Sequence, residues 1–201
     1  MQDFFAAFAL PHRLNIDLPA LEKSFYAQSR KLHPDRFASK PAAEQEAALA
    51  QSSLLNDAYR TLRDPILRTQ HLLTLQGVEL EEQSKSATEA ARTSGTEKKQ
   101  LIPPELLEEV FELNMQLMEM KAAKEFGDEA DPDLKRDLEA AATTFNQKMA
   151  ATQLELEALW TQWDNAASDT DRAAARNAMV TLLNKRSYLR NLVRDVTAAL
   201  D

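Results

Sequence analysis

Glycine is nearly absent from this sequence, and the shortage limits the folds open to it more than any other feature. Three glycines occur in 201 residues, where average usage would give about 14. A Gly-rich phosphate loop, a dinucleotide-binding turn and a hairpin-rich β protein all need backbone geometry that glycine supplies. Cysteine is missing altogether, which removes disulfides, thiol nucleophiles, zinc ribbons and protein-held iron–sulfur clusters. An all-α fold is expected. The net charge of −8 argues against nucleic acid as a partner, because phosphate contacts need clustered Lys and Arg. No run approaches the roughly 18 apolar residues of a membrane span. The opening MQDFFAAFALPHR lacks the basic flank of an export signal. A cytoplasmic protein with no membrane partner is the expectation.

Charge divides the chain. Residues 1–80 carry nine Lys/Arg against nine Asp/Glu, which leaves 15 against 23 for the remainder. Between the two parts lies EEQSKSATEAARTSGTEKKQ, residues 81–100, with no Val, Ile, Leu, Met or aromatic residue. A stretch with nothing to bury cannot offset its ordering entropy. The expected organisation is therefore an N-terminal domain over 1–80, a polar linker over 81–102 and a C-terminal domain over 103–201.

Helix punctuation is plain in both parts. Phe4, Phe5 and Phe8 predict a short helix stopped near Pro11, and Asp17 before Leu18-Pro19 starts the next. Leu18, Leu21, Phe25 and Leu32 carry that helix to about His33, where Pro34 stops it. A third helix is expected to bury Ala47, Leu54, Ala58 and Leu62 or their neighbours. A fourth begins at Asp64-Pro65, turns Leu67, His71 or Leu72, and Leu75 inward, and ends at Gly77. The longer helices would form an antiparallel hairpin. In the second part, Pro103-Pro104, Asp131-Pro132 and the capping pair Ser168 and Asp171 open three long helices. Their seams are Leu106, Val110, Leu113, Leu117, Met120; then Leu138, Phe145, Met149, Leu156, Leu159, Trp163; then Met179, Leu182, Leu189, Val193, Val196, Leu200. Trp160 and Trp163 are expected in the bundle core. Short loops between long helices make antiparallel neighbours, hence a three-helix bundle.

His33-Pro34-Asp35 is the one short motif with a mechanism attached. The helix ends there, proline stiffens the turn, and Asp35 offers a carboxylate suited to a bidentate arginine contact on another protein. Arg30-Lys31 precede it and Arg36-Phe37 follow.

With SRKLHPDRF and QSSLLNDAYRTLRDP around it, this part resembles the J-domain. In that family the His-Pro-Asp turn and the basic face of the preceding helix bind an HSP70-type chaperone and stimulate its ATP hydrolysis. The resemblance assigns His33, Pro34 and Asp35 to the turn, with Lys23, Arg30, Lys31 and Arg36 as electrostatic contacts. Phe25, Tyr26, Ala27 and Gln28 stand where J-domains usually add basic residues, which suits a specialised chaperone. General J-proteins continue with Gly/Phe-rich and cysteine-bearing zinc segments that this composition excludes. The Phe-Phe opening, QSSLLNDAYRTLRDPILR and RTQHLLTLQGVEL, with a bundle to follow, are instead similar to the HscB family of iron–sulfur cluster assembly. That resemblance implies an HscA-like chaperone and an IscU-like scaffold protein as partners. It also implies a monomer without cofactor, bound metal or catalytic residues, so not an enzyme.

The first bundle helix has a second apolar series, Leu107, Phe111, Met115 and Met118, about 100° round from the seam. The combined face is wider than one bundle contact needs, and an exposed strip with methionine marks a partner surface. The family resemblance makes Leu107, Phe111, Glu112, Met115 and Glu119 scaffold contacts, joined by Tyr188 from the last helix. Met115 stands where the family has an acidic residue.

Plainer readings compete. The tripeptide could be an ordinary helix stop, the second stripe could pack inside the protein, and the basic residues could be a solvated helix face. A general J-domain co-chaperone, a helical adaptor bridging other proteins, and an enzyme using His33 with a carboxylate are the rival functions. The last lacks a nearby nucleophile and a metal cluster.

Overall fold

The computed structural model describes residues 2–78, 103–127 and 131–201, so the linker expected at 81–102 lies outside the described residues. Every regular element among them is helical: α1 Phe4–Ala7, α2 Leu18–Lys31, α3 Ala42–Arg63, α4 Pro65–Leu75, α5 Leu107–Phe126, α6 Pro132–Asp164 and α7 Asp169–Leu200. Short 3-10 turns add Pro34–Arg36 and Pro104–Leu106. Among the described residues no helix is long and apolar enough to cross a membrane.

The helix ends follow local chemistry. Asp17 accepts the N–H of Ala20 at 2.9 Å, and Asp64 accepts those of Ile66 and Leu67 at 2.9 and 2.8 Å. Each carboxylate satisfies donors that a helix start leaves open, next to a proline that has none to satisfy. Ser168 accepts the N–H of Asp171 at 3.1 Å, as a capping pair should. At the other ends, Gly77 and Gly127 take φ of +76° and +74°. Beyond Gly77, Val78 N–H closes back on the Leu73 carbonyl at 3.0 Å.

Two compact units result, Met1–Leu80 with Glu157–Val180, and Glu81–Leu156 with Thr181–Asp201. In the first, α1 and α2 pack on α3, and the Phe25 and Tyr59 rings stack at 4.2 Å across the α2–α3 hairpin. Its core holds Phe5, Leu14, Leu21, Leu55, Ala58, Leu62, Leu72 and Leu73. In the second, α5 and parts of α6 and α7 close a three-helix core through Leu106, Val110, Leu113, Met120, Leu134, Leu138, Phe145, Leu189, Leu192 and Val196. Lys148–Glu109 at 2.6 Å ties α6 to α5, and Lys185–Glu105 at 3.2 Å ties α7 to the 3-10 turn that leads into α5.

On α3 the buried positions are Ala58 and Leu62, with Ala48 and Leu55, the neighbours of Ala47 and Leu54, as the expectation allowed. Several other inward positions differ from expectation. On α4 the buried face is Ile66, Arg68, Thr69, Leu72 and Leu73, while Leu67 is exposed. Leu183 replaces Leu182 on α7. The tryptophans do not join the bundle core. Trp160 donates its indole N–H to Thr69 at 3.0 Å, and the Arg68 guanidinium lies 4.5 Å over its ring. Asp164, its side chain only 1% exposed, accepts the N–H groups of Leu14 and Asn15 at 2.8 and 2.9 Å. The end of α6 is thus part of the N-terminal unit. Burial lowers the Arg68 pKa, against the opposing pull of Glu157, Asp64 and Asp164.

Candidate functional site

The His-Pro-Asp turn is built by the end of one helix and held by the start of another. α2 closes with Leu32 N–H on the Gln28 carbonyl at 3.1 Å. His33 then takes an extended backbone, φ −60° and ψ 133°, as the residue before a proline must. Arg36 and Phe37 donate back to the carbonyls of His33 and Pro34, both at 2.9 Å, which closes a tight turn. Gln45 of α3 donates to the Lys40 carbonyl at 2.8 Å and pins the far side of the loop.

His33 organises the turn through one nitrogen. Its Nδ1 accepts the Asp35 N–H at 3.3 Å and lies 3.4 Å from Asp35 Oδ2. The first contact requires the tautomer with its proton on Nε2, and in that tautomer the second is not an ion pair. The backbone bond therefore defines the turn. The Asp35 side chain is 90% exposed, and among the described residues the His33 imidazole alone reaches it at salt-bridge distance. A fixed backbone with a free carboxylate is ready for a fork of N–H donors from outside.

Around it, Lys23, Arg30, Lys31 and Arg36 are all exposed. Lys23 and Arg30, seven residues apart, fall within about 20° of each other on the helix. They face away from buried Leu21, with exposed Tyr26 beside them. Arg36 reaches back to the Arg30 carbonyl at 3.5 Å, which places positive charge over the end of α2.

The second candidate surface is one face of α5. Leu107, Phe111, Met115 and Met118 are 53%, 70%, 57% and 70% exposed. They span about 80° of the helix, with Glu108, Glu112 and Glu119 in the next 100–140° or so. All three glutamates are exposed. The core residues of the same helix lie on the other side, so the stripe is not part of the bundle seam. Tyr188 differs from the rest of the set. It sits on α7, half-buried against the bundle core, where burial first and the Asp195 carboxylate second raise its phenol pKa.

Sequence reasoning missed Asp164, Arg68 and Thr69 because each acts through a partner far along the chain. The only local signal was a threonine and an arginine adjacent on the inward side of α4.

No protein-family model matches the chain. A curated relative, the co-chaperone protein HscB homologue of Bordetella petrii, is 43% identical over 89 residues. The match takes in 44% of this chain and 52% of the relative, so the chain spans about half the relative's length. Over that stretch the chain is similar to an HscB co-chaperone. Its fold agrees: the Vibrio cholerae chaperone HscB superposes over 98% of this chain and 96% of its own at a TM-score of 0.60 and 24% identity. Human co-chaperone HscB gives 0.62 and 20% identity, over 98% of this chain and 82% of its own. At such identities the two HscB structures speak for the fold alone.

Proposed function

We propose that the chain is a non-enzymatic co-chaperone. It would stimulate the ATPase of a specialised, HscA-like HSP70-type chaperone through its His33-Pro34-Asp35 turn. It would also bring an IscU-like iron–sulfur scaffold protein to that chaperone for cluster maturation or transfer. The observation that carries the reading is the Asp35 carboxylate, 90% exposed, on a backbone fixed by His33 and flanked by Lys23, Arg30, Lys31 and Arg36. A carboxylate so placed can take an arginine fork from a chaperone, while the basic helix face steers an acidic partner surface. The chaperone supplies the hydrolysis, and the co-chaperone shifts its populations by binding one state better.

The scaffold contact is assigned to Leu107, Phe111 and Met115 with Glu112 and Glu119 beside them. An aromatic anchor among aliphatic side chains, next to a strip of one charge, suits an apolar partner segment with basic neighbours. Tyr188 enters this contact at its edge, since its ring is half-buried. A cytoplasmic setting fits both partners.

The test is the ATPase rate of an HscA-like chaperone with and without this chain and an IscU-type scaffold. Stimulation that grows when both are present supports the reading. Binding to the scaffold without any stimulation favours an adaptor. Turnover of a substrate without chaperone refutes the proposal.

A further inference from the structure

The exposed face of α5 has a chemical property that docking alone does not require. Two of its four apolar side chains are thioethers. Met115 and Met118 are 57% and 70% exposed, whereas Met120 and Met179 are 1% and 0% exposed. Met149 is partly buried against the bundle core. On the helix, Phe111 falls between the two, with Met118 about 20° to one side and Met115 about 40° to the other. Leucine at both positions would give the same apolar area without the reactive sulfur.

We propose that Met115 and Met118 form a peroxide-sensitive modification site that switches this face from apolar to polar. The biological consequence rests on the reading of the face as the scaffold contact; the chemistry does not. A sulfur lone pair attacks one oxygen of hydrogen peroxide, the S–O bond forms and the O–O bond breaks. The departing hydroxide takes the proton of the transferred oxygen and leaves as water. Sulfur gives up two electrons and the peroxide gains them. Each sulfoxide is polar and chiral, and thiol-dependent reductases that act on its two epimers make the change reversible. With one S=O on either side of the Phe111 ring, an apolar partner would have to strip water from both before seating on the ring. Acidic Glu112 and Glu119 offer no donor to satisfy those oxygens.

The experiment treats the full chain with hydrogen peroxide under native conditions and maps sulfoxides by peptide mass. Retention on a phenyl column and affinity for an IscU-type scaffold protein are then measured, with the Met115→Leu, Met118→Leu double variant alongside. Sulfoxide should accumulate at 115 and 118 ahead of 120 and 179, and retention should shorten. Scaffold affinity should fall at least about tenfold, the scale of losing one buried methionine side chain. In the double variant, retention and affinity measured before and after the same treatment should agree. Equal oxidation at Met120 and Met179 would overturn the proposal, as would unchanged retention or affinity with both sulfoxides present. If the untreated chain ignores the scaffold while mapping and retention behave as stated, the scaffold reading fails and the modification site stands.

Discussion

Trp160 donates its indole N–H to the Thr69 hydroxyl at 3.0 Å, across 91 residues of sequence. Thr69 donates in turn to the Pro65 carbonyl at 2.8 Å, and Trp160 also carries the Arg68 guanidinium on its face. The Trp160–Thr69 bond is buried, so the indole N–H depends on the Thr69 hydroxyl for its acceptor. Thr69→Val keeps the side-chain shape and removes the acceptor, leaving a buried N–H alone. It should cost about 1–3 kcal/mol in chemical unfolding followed by tryptophan emission. Thr143→Val removes only an exposed bond to the Glu139 carbonyl and should stay within about 0.5 kcal/mol. Equal midpoints for the two variants would contradict this account of the cluster.

A second prediction concerns acid. His71 Nε2 accepts the Phe4 N–H at 3.1 Å, and its ring stacks on Phe4 at 4.5 Å. Burial lowers its pKa and His12 adds to the lowering, while the Asp3 carboxylate opposes them. A nitrogen that accepts cannot also be protonated, so the neutral ring is the one that anchors α1. With the folded value below the unfolded one, the stabilisation is whole above the unfolded pKa near about 6.5. It is lost as pH falls from there towards the folded value. Protection factors at residues 4–8, with the pH dependence of intrinsic exchange divided out, should fall as the pH drops below about 6.5. His71→Gln, whose side-chain oxygen accepts without titrating, should flatten that dependence. A variant with the same pH profile as the parent would remove His71 from the explanation.

Phe111 and Leu113 are two residues apart and predict opposite things. Leu113 is buried in the bundle core while Phe111 stands in solvent. Leu113→Ala should therefore cost about 2–5 kcal/mol of stability. Phe111→Ala should change stability by no more than about 0.5 kcal/mol, yet weaken binding of an IscU-type scaffold by at least about tenfold if it is an anchor. Thermal unfolding and calorimetric titration separate the two effects. Scaffold affinity untouched by Phe111→Ala would take the aromatic anchor out of the proposed contact.

These contrasts also explain what could be read before the structure. Helix ends were legible because capping is local: Asp17, Asp64, Ser168 and Gly77 each act within a few residues of themselves. The exposed series on α5 was legible because its spacing separates it from the seam. Adjacent apolar residues were harder. Leu54 and Leu55, or Leu72 and Leu73, differ by one helical step, and the neighbour across the core decides which turns inward. For α4 that neighbour includes Trp160, which was expected in the bundle core. Asp164 was invisible for the same reason, since its acceptors' partners, Leu14 and Asn15, lie 150 and 149 residues away.

The central claim is that Asp35 is the group this chain presents to its chaperone. Single-turnover ATP hydrolysis by an HscA-like chaperone, compared between the parent chain and Asp35→Asn, tests it most directly. Among the described residues the Asp35 side chain meets only the exposed His33 ring, and its backbone bond to His33 survives the substitution, so the variant should keep its helicity and its scaffold binding. Stimulation should fall to the level of chaperone alone. Full stimulation by a folded Asp35→Asn chain would contradict it.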